Sequence, residues 1–301
     1  MPVVNINGIR TNYIQLDCLA GEDCEDLVMV HGLATNLAFW YFQHAPEFSK
    51  RYRITLYDLR GHGQSDMADQ GYTSRNMAVD LCQLLDCLEI DRAHFVAHSF
   101  GGTVALNLAC MNQDRLSSLV LLDTHISAIR RQTANKWEYG KKIQSLLDRH
   151  GLNLNVNEPY FGYRMLTKIA QIQEENDPLP PALKDLFATF MGKYSKRTAG
   201  KWLKLLKTTN AEKELMEDDS LSLNHLRKLK LPILALYGEH SQAMLTGKQL
   251  PGIWPHANFK CISSAGHFFP LTRPAELMAH CQKFWNDLSM NKTHEESLTL
   301  F

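Results

Sequence analysis

The chain has 301 residues, 32 basic and 32 acidic side chains and a formal net charge of zero. That length suits one large domain with an insertion or a second small unit. The charge balance removes any global electrostatic argument for nucleic acid or membrane partners, and none is expected.

No stretch reaches the roughly 20 apolar residues of a membrane-spanning helix. The opening Met1-Pro2-Val3-Val4-Asn5 lacks the basic and apolar regions of a secretion signal, so a cytoplasmic location is expected. Seven cysteines, odd in number and scattered, fit reduced thiols better than a disulfide framework. The scattered cysteines form no pair at metal-ligand spacing, no two of the thirteen histidines sit in a His-Glu-x-x-His or similar cluster, and neither metal nor cofactor is expected.

In chain order, residues 3–16 alternate around Asn7-Gly8, a favoured two-residue turn, and predict an opening antiparallel hairpin. The pattern then changes to strand, helix, strand, helix. Residues 27–30, 54–57, 94–97, 119–122, 233–237 and 259–262 are short, apolar and β-rich, as strands covered on both faces should be. Helical stretches lie between most of them, including 36–48 and 103–111. Parallel strands with right-handed helical crossovers are the economical architecture.

Residues 126–215 break this rhythm. They hold no buried strand but carry amphipathic helical segments at 133–149, 163–173, 183–193 and 199–208, plus the Pro-rich run Asp177-Pro178-Leu179-Pro180-Pro181. This predicts a helical cap at 126–215 inserted in a core of residues 1–125 and 216–301. The tail, 291–301, is polar enough to fray.

Phe95-Val96-Ala97-His98-Ser99-Phe100-Gly101-Gly102 reads as a strand entering a sharp turn with a serine at its tip, followed at once by a helix. Small residues at such a turn let neighbouring backbone pass close to a strained serine whose Oγ stands above the sheet. Ala97 fills the first small position, where glycine is more usual. A serine in such a turn is as readily structural as catalytic when taken alone.

Three further landmarks surround it in order: His31-Gly32-Leu33 after one strand, Asp58-Leu59-Arg60-Gly61-His62-Gly63-Gln64-Ser65-Asp66 after another, and Ala265-Gly266-His267-Phe268 after the last. With the serine turn, they resemble the α/β-hydrolase family over nearly the whole chain apart from its middle. The resemblance implies a mostly parallel eight-stranded α/β sheet flanked by helices. It also implies Ser99 as nucleophile and His267 as its base, because a free serine hydroxyl is almost fully protonated near neutral pH. His98 reads as a packing or supporting neighbour, and His31 as a brace of its loop.

The acid that would orient His267 is open. In the resembling family it usually follows the seventh strand, where this chain has Gly238-Glu239-His240-Ser241-Gln242, with Ser241 in the expected slot. A serine cannot supply the charge. Asp123, at the end of the sixth strand, and Glu239 are the two replacements, with Asp123 preferred. The resemblance also implies an oxyanion hole from the backbone N–H groups of Leu33 and Phe100.

A serine nucleophile argues against dehalogenase and epoxide hydrolase chemistry, which uses an aspartate in similar folds. Acyl transfer to water remains, with a carboxylic ester as first expectation. Trp137, Tyr160, Phe161 and Phe268 are candidates for an apolar acyl pocket, although the first three serve equally as the cap's own core. The alternative is a thioesterase. Lys193, Lys196, Arg197, Lys201, Lys204 and Lys207 recur at helical steps and could receive an acidic acyl carrier protein, or form a solvated face. A ligand-binding protein that has lost catalysis is the reading from another class, favoured by the absence of an acid at position 241.

Overall fold

The computed structural model describes residues 2–21, 23–130, 137–158, 160–175, 195–217 and 219–298. Eight strands, β1 (Val3–Ile6), β2 (Ile9–Leu16), β3 (Asp26–Val30), β4 (Arg53–Tyr57), β5 (Ala93–His98), β6 (Leu116–Leu122), β7 (Ile233–Gly238) and β8 (Asn258–Ile262), form one sheet. Its order is β1-β2-β4-β3-β5-β6-β7-β8. β1 and β2 pair antiparallel, β2 pairs antiparallel to β4, and the rest of the sheet is parallel. Asn7 and Gly8 both have positive φ, 50° and 79°, which is what a hairpin turn matched to strand twist demands.

Alternation along each buried strand divides the core into two layers. Val28, Val30, Phe95, Ala97, Leu119 and Leu121 face the helices Ser74–Cys87 and Phe100–Met111. Their neighbours Leu27, Met29, Val96, Val120 and Leu122 face Trp40, Phe48, Leu277 and Trp285 on the opposite side. Because both faces are covered, the central strands are continuous apolar runs, which is why they were legible.

Four expectations need correction. The stretch 36–48 is two short helices, Ala38–Tyr41 and Ala45–Phe48, because Pro46 has no N–H and starts a helix more readily than it continues one. The helix after the serine begins at Phe100, not 103. The last helix runs from Pro274 to Leu298, through most of the tail expected to fray; polar residues such as Lys292 and Glu295 are good helix formers. Finally, Cys18 and Cys24 are disulfide-bonded across a six-residue separation, closing the loop between β2 and β3. Cys82, Cys87, Cys110, Cys261 and Cys281 are free thiols.

Between β6 and β7 the described helices are Ser127–Arg130, Gly140–Arg149, Phe161–Glu174, Ser195–Thr208 and Ala211–Leu215. Ile143, Leu147, Phe161, Met165 and Ile169 form a small core of their own there. The expected helix 183–193, the Pro-rich run 177–181 and Lys193 lie outside the described residues. No helix among the described residues is long and apolar enough to cross a membrane.

The helix Ser195–Thr208 is continuous through Gly200 and seats Trp202 and Leu205 in the main core. Lys201 lies one turn before Leu205 and is turned inward with it. Its Nζ donates to the carbonyls of Gly63 (2.7 Å), Ser65 (2.8 Å) and His62 (3.4 Å), and burial lowers its pKa. The cationic face, read as either a carrier-protein surface or a solvated face, therefore lacks its central member. Lys201→Ala is expected to cost about 1–2 kcal/mol in urea unfolding, because water replaces only part of these contacts. Lys204→Ala, at an exposed position, should change stability by less than about 0.5 kcal/mol.

Candidate active site

The parallel strand ends at the centre of the sheet bring the site together. His98, the last residue of β5, is paired with Leu122, the last of β6, so Ser99 and Asp123 leave the sheet side by side. Ser99 N–H donates to Leu122 O (2.9 Å) and Asp123 N–H to Leu236 O (2.9 Å). Both residues sit at positive φ, 55° for Ser99 and 49° for Asp123. For non-glycine residues this conformation is strained, and it persists only where the surroundings enforce it.

The enforcement at Ser99 comes from its glycines. A Cβ at Gly101 would overlap the backbone carbonyls of His31 and Val30, and one at Gly102 would overlap the Thr124 side chain. Gly32 also lies close, its would-be Cβ 3.1 Å from Ser99 Cβ. The loop after β3 is thus pressed against the serine turn, and only residues without side chains permit the approach. Ser99 itself is half-buried, so its hydroxyl is reachable.

His267 Nε2 is 2.9 Å from Ser99 Oγ, and its Nδ1 is 2.6 Å from Asp123 Oδ2. The Asp123 side chain is fully buried and the imidazole about 29% exposed. Asp123 has two more donors: Gly238 N–H to Oδ1 at 2.9 Å, and Ser241 Oγ–H to Oδ2. The carboxylate, which can only accept while ionised, fixes Nδ1 as the protonated nitrogen and leaves Nε2 free to accept the Ser99 proton. Glu239 is directed elsewhere, its Oε2 accepting from Ser264 N at 2.7 Å, and it braces the β8 loop. Of the two acids left open, Asp123 is the one placed against His267.

Ser241 was legible only as a vacant acid position; its role as a donor to Asp123 was not. Its backbone N–H bonds Gly238 O (3.0 Å), and its Oγ accepts from Ala243 N (3.1 Å), so the hydroxyl proton is free to point at the carboxylate.

Phe100 N–H opens a helix, where the first N–H groups have no intrahelical acceptor. Leu33 follows Gly32 in the loop against Ser99. Beneath them His31 is wholly buried, and burial holds its pKa down to about 4, so it is neutral. Its Nε2 accepts from Leu59 N (3.1 Å) and its Nδ1 donates to Gly32 O (2.8 Å), tying the β3 and β4 loops together. Asp58 completes the brace, accepting from Leu37 N at 2.8 Å, and from Asn12 Nδ2 and Gln64 N at 2.7 Å each.

Phe268 stands edge-on to His267, ring centroids 4.9 Å apart. Trp137 and Phe161 pack against each other, centroids 6.1 Å apart, within the small core between β6 and β7. Trp137 Nε1 also donates to His240 O (3.3 Å), next to Ser241. Tyr160 is left-handed, with φ 62°, and packs partly buried against the main core.

A sheet of this order, with a serine turn after β5 and a histidine after β8, defines an α/β hydrolase architecture. The model of the alpha/beta hydrolase fold family matches residues 27–274, and the chain belongs to that family. It is 39% identical over 104 residues to the dihydrolipoyllysine-residue acetyltransferase component of the acetoin cleaving system of Pseudomonas putida, covering 35% of this chain and 28% of that protein. It is 34% identical over 116 residues to 3-oxoadipate enol-lactonase 1 of Acinetobacter baylyi, covering 38% and 42% of the two chains. The matches to the first three curated relatives span 28%, 64% and 37% of their lengths. Among solved structures, the enol-lactonase from Burkholderia xenovorans LB400 superposes with a TM-score of 0.65 at 22% identity, covering 95% of this chain and all of that one.

Proposed function

We propose that this chain is a serine hydrolase that cleaves carboxylic esters, cyclic esters included, through an acyl-enzyme. The observation that carries this reading is the hydrogen-bonded series Ser99 Oγ, His267 Nε2, His267 Nδ1, Asp123 Oδ2, with gaps of 2.9 and 2.6 Å. Ser99 Oγ attacks the acyl carbon while His267 takes its proton, and the resulting imidazolium faces the ionised Asp123. The N–H groups of Phe100 and Leu33 receive the oxyanion. His267 then gives the proton to the departing alkoxide, and water repeats the sequence to release the acid and regenerate Ser99.

The described helices between β6 and β7 act as the cap over this centre, with the Trp137 bond to His240 seating one end beside the Asp123 loop. Phe268, against the imidazole, lines the acyl side. The inclusion of cyclic esters rests on the similarity to enol-lactonases.

Treatment with a fluorophosphonate probe is expected to label Ser99 stoichiometrically, with no labelling of Ser99→Ala. Hydrolysis of p-nitrophenyl butyrate by Ser99→Ala should fall by at least about 10⁴-fold. An unlabelled wild-type protein that still binds esters would instead favour a ligand-binding role.

A further inference from the structure

We infer that His98, the residue before the nucleophile, is a positioning residue that sets where His267 stands. The inference rests on the catalytic reading of Ser99 and His267. His98 is buried at 1% exposure, and its Nε2 lies 2.9 Å from the backbone carbonyl of His267. A carbonyl only accepts, so Nε2 carries the proton and donates. Nδ1 is then a bare lone pair, buried, with no hydrogen-bond partner. Burial together with the neighbouring His267 pushes the His98 pKa well below the usual range, which keeps the ring neutral and limited to this single donation.

The ring has little freedom to do anything else. Phe39 stacks on it at 4.9 Å with the planes 16° apart. His267 and Phe268 flank it at 4.8 and 5.6 Å. A Cβ at Gly32 would come within 3.4 Å of Nδ1, so the loop after β3 closes that side.

Its place in the chain gives the hydrogen bond its purpose. β5 holds His98 in register with Leu122, while Ser99 and Asp123 follow those two residues directly. His267 instead hangs on a loop after β8, near the sheet edge, and its imidazole contacts, to Ser99 Oγ and Asp123 Oδ2, are between side chains. The His98 bond is different in kind, because it fixes the His267 backbone to the strand that carries the nucleophile. Releasing it lets the imidazole drift with its loop, and a displacement of about 1 Å at a reacting group can cost on the order of a hundredfold in rate.

Glutamine and asparagine separate donation from packing. A glutamine amide nitrogen reaches the position of Nε2, whereas an asparagine nitrogen reaches only that of Nδ1. His98→Gln is expected to hold kcat on p-nitrophenyl butyrate within about threefold of wild type. His98→Asn and His98→Leu should lose at least about tenfold in kcat with KM within about twofold, and label correspondingly slowly with fluorophosphonate. The inference is overturned if either of the latter keeps wild-type kcat, or if His98→Gln falls as far as they do. Nitrogen NMR of the wild-type protein gives an answer that needs no variant: His98 should show protonated Nε2 and bare Nδ1 from pH 5 to 8, and a protonated Nδ1 would refute it. Failure of wild-type labelling would count against the catalytic reading itself, a result distinct from all of these.

Discussion

Asp123→Asn is expected to lower kcat for ester hydrolysis by about 10³- to 10⁴-fold while the protein stays folded. The amide preserves the shape and can still accept from Gly238 N–H, 2.9 Å away in the native site. It cannot present a carboxylate both to His267 Nδ1–H and to Ser241 Oγ–H, so the imidazole loses the group that fixes its tautomer and steadies its cation. Adding Ser241→Asp to this variant should restore at least tenfold, roughly, of the lost rate. The Ser241 hydroxyl already touches the Asp123 oxygen that receives His267, so a carboxylate there approaches the same nitrogen. Steady-state kinetics on p-nitrophenyl butyrate decide the matter: a wild-type rate for Asp123→Asn, or no recovery in the double variant, contradicts the assignment. Ser241→Asp alone should be impaired, since two buried carboxylates in contact cannot both stay ionised.

The second large effect is on stability. Asp58 is 1% exposed and accepts three hydrogen bonds, from Leu37 N, Gln64 N and Asn12 Nδ2. A Cβ at Gly63, which has φ 48°, would overlap its carboxylate, so the loop has been drawn tightly around the charge. Asp58→Ala leaves two of those donors, Leu37 N–H and Asn12 Nδ2, buried without a partner and is expected to cost about 3–5 kcal/mol in urea unfolding. A loss under about 1 kcal/mol would mean that water repairs the site. Hydrolysis should fall as well, because Leu59 N–H holds His31, and His31 holds the Gly32 carbonyl behind the serine turn.

The parts of this molecule readable from sequence are those fixed locally. Buried strands announce themselves as apolar runs, and the Ser99 turn and Gly266-His267 each combine a glycine with a reactive side chain at a strand end. The acid could only be narrowed to two residues, because what decides it is which strand end lies beside Nδ1. Glu239 is closer to the usual slot in sequence, yet it turns back to Ser264. Ser241 illustrates the same limit: its position drew attention as a missing charge, while its hydroxyl is a donor to the charge supplied from β6. The Cys18–Cys24 bond was hidden by an odd cysteine count, although only two members with a short separation were needed. Lys201 misled because periodicity sorts residues by face but treats every cation as solvated. Its spacing to Leu205 was the available sign that it faces inward.

The helices between β6 and β7 are stitched to the β4 loop at several points. Lys201 caps the carbonyls of Gly63 and Ser65, Glu214 takes the N–H groups of Gly71 and Tyr72, and Trp202 lies 5.9 Å from the His62 ring, itself 5.5 Å from His31. Anyone recombining this chain with a relative therefore inherits a seam that does not follow the linear order of the gene. A graft cut at the ends of β6 and β7 severs contacts to residues 60–72, more than a hundred positions upstream, and leaves their carbonyls and amides facing a surface shaped for another protein. The smallest exchangeable unit is the pair of segments together.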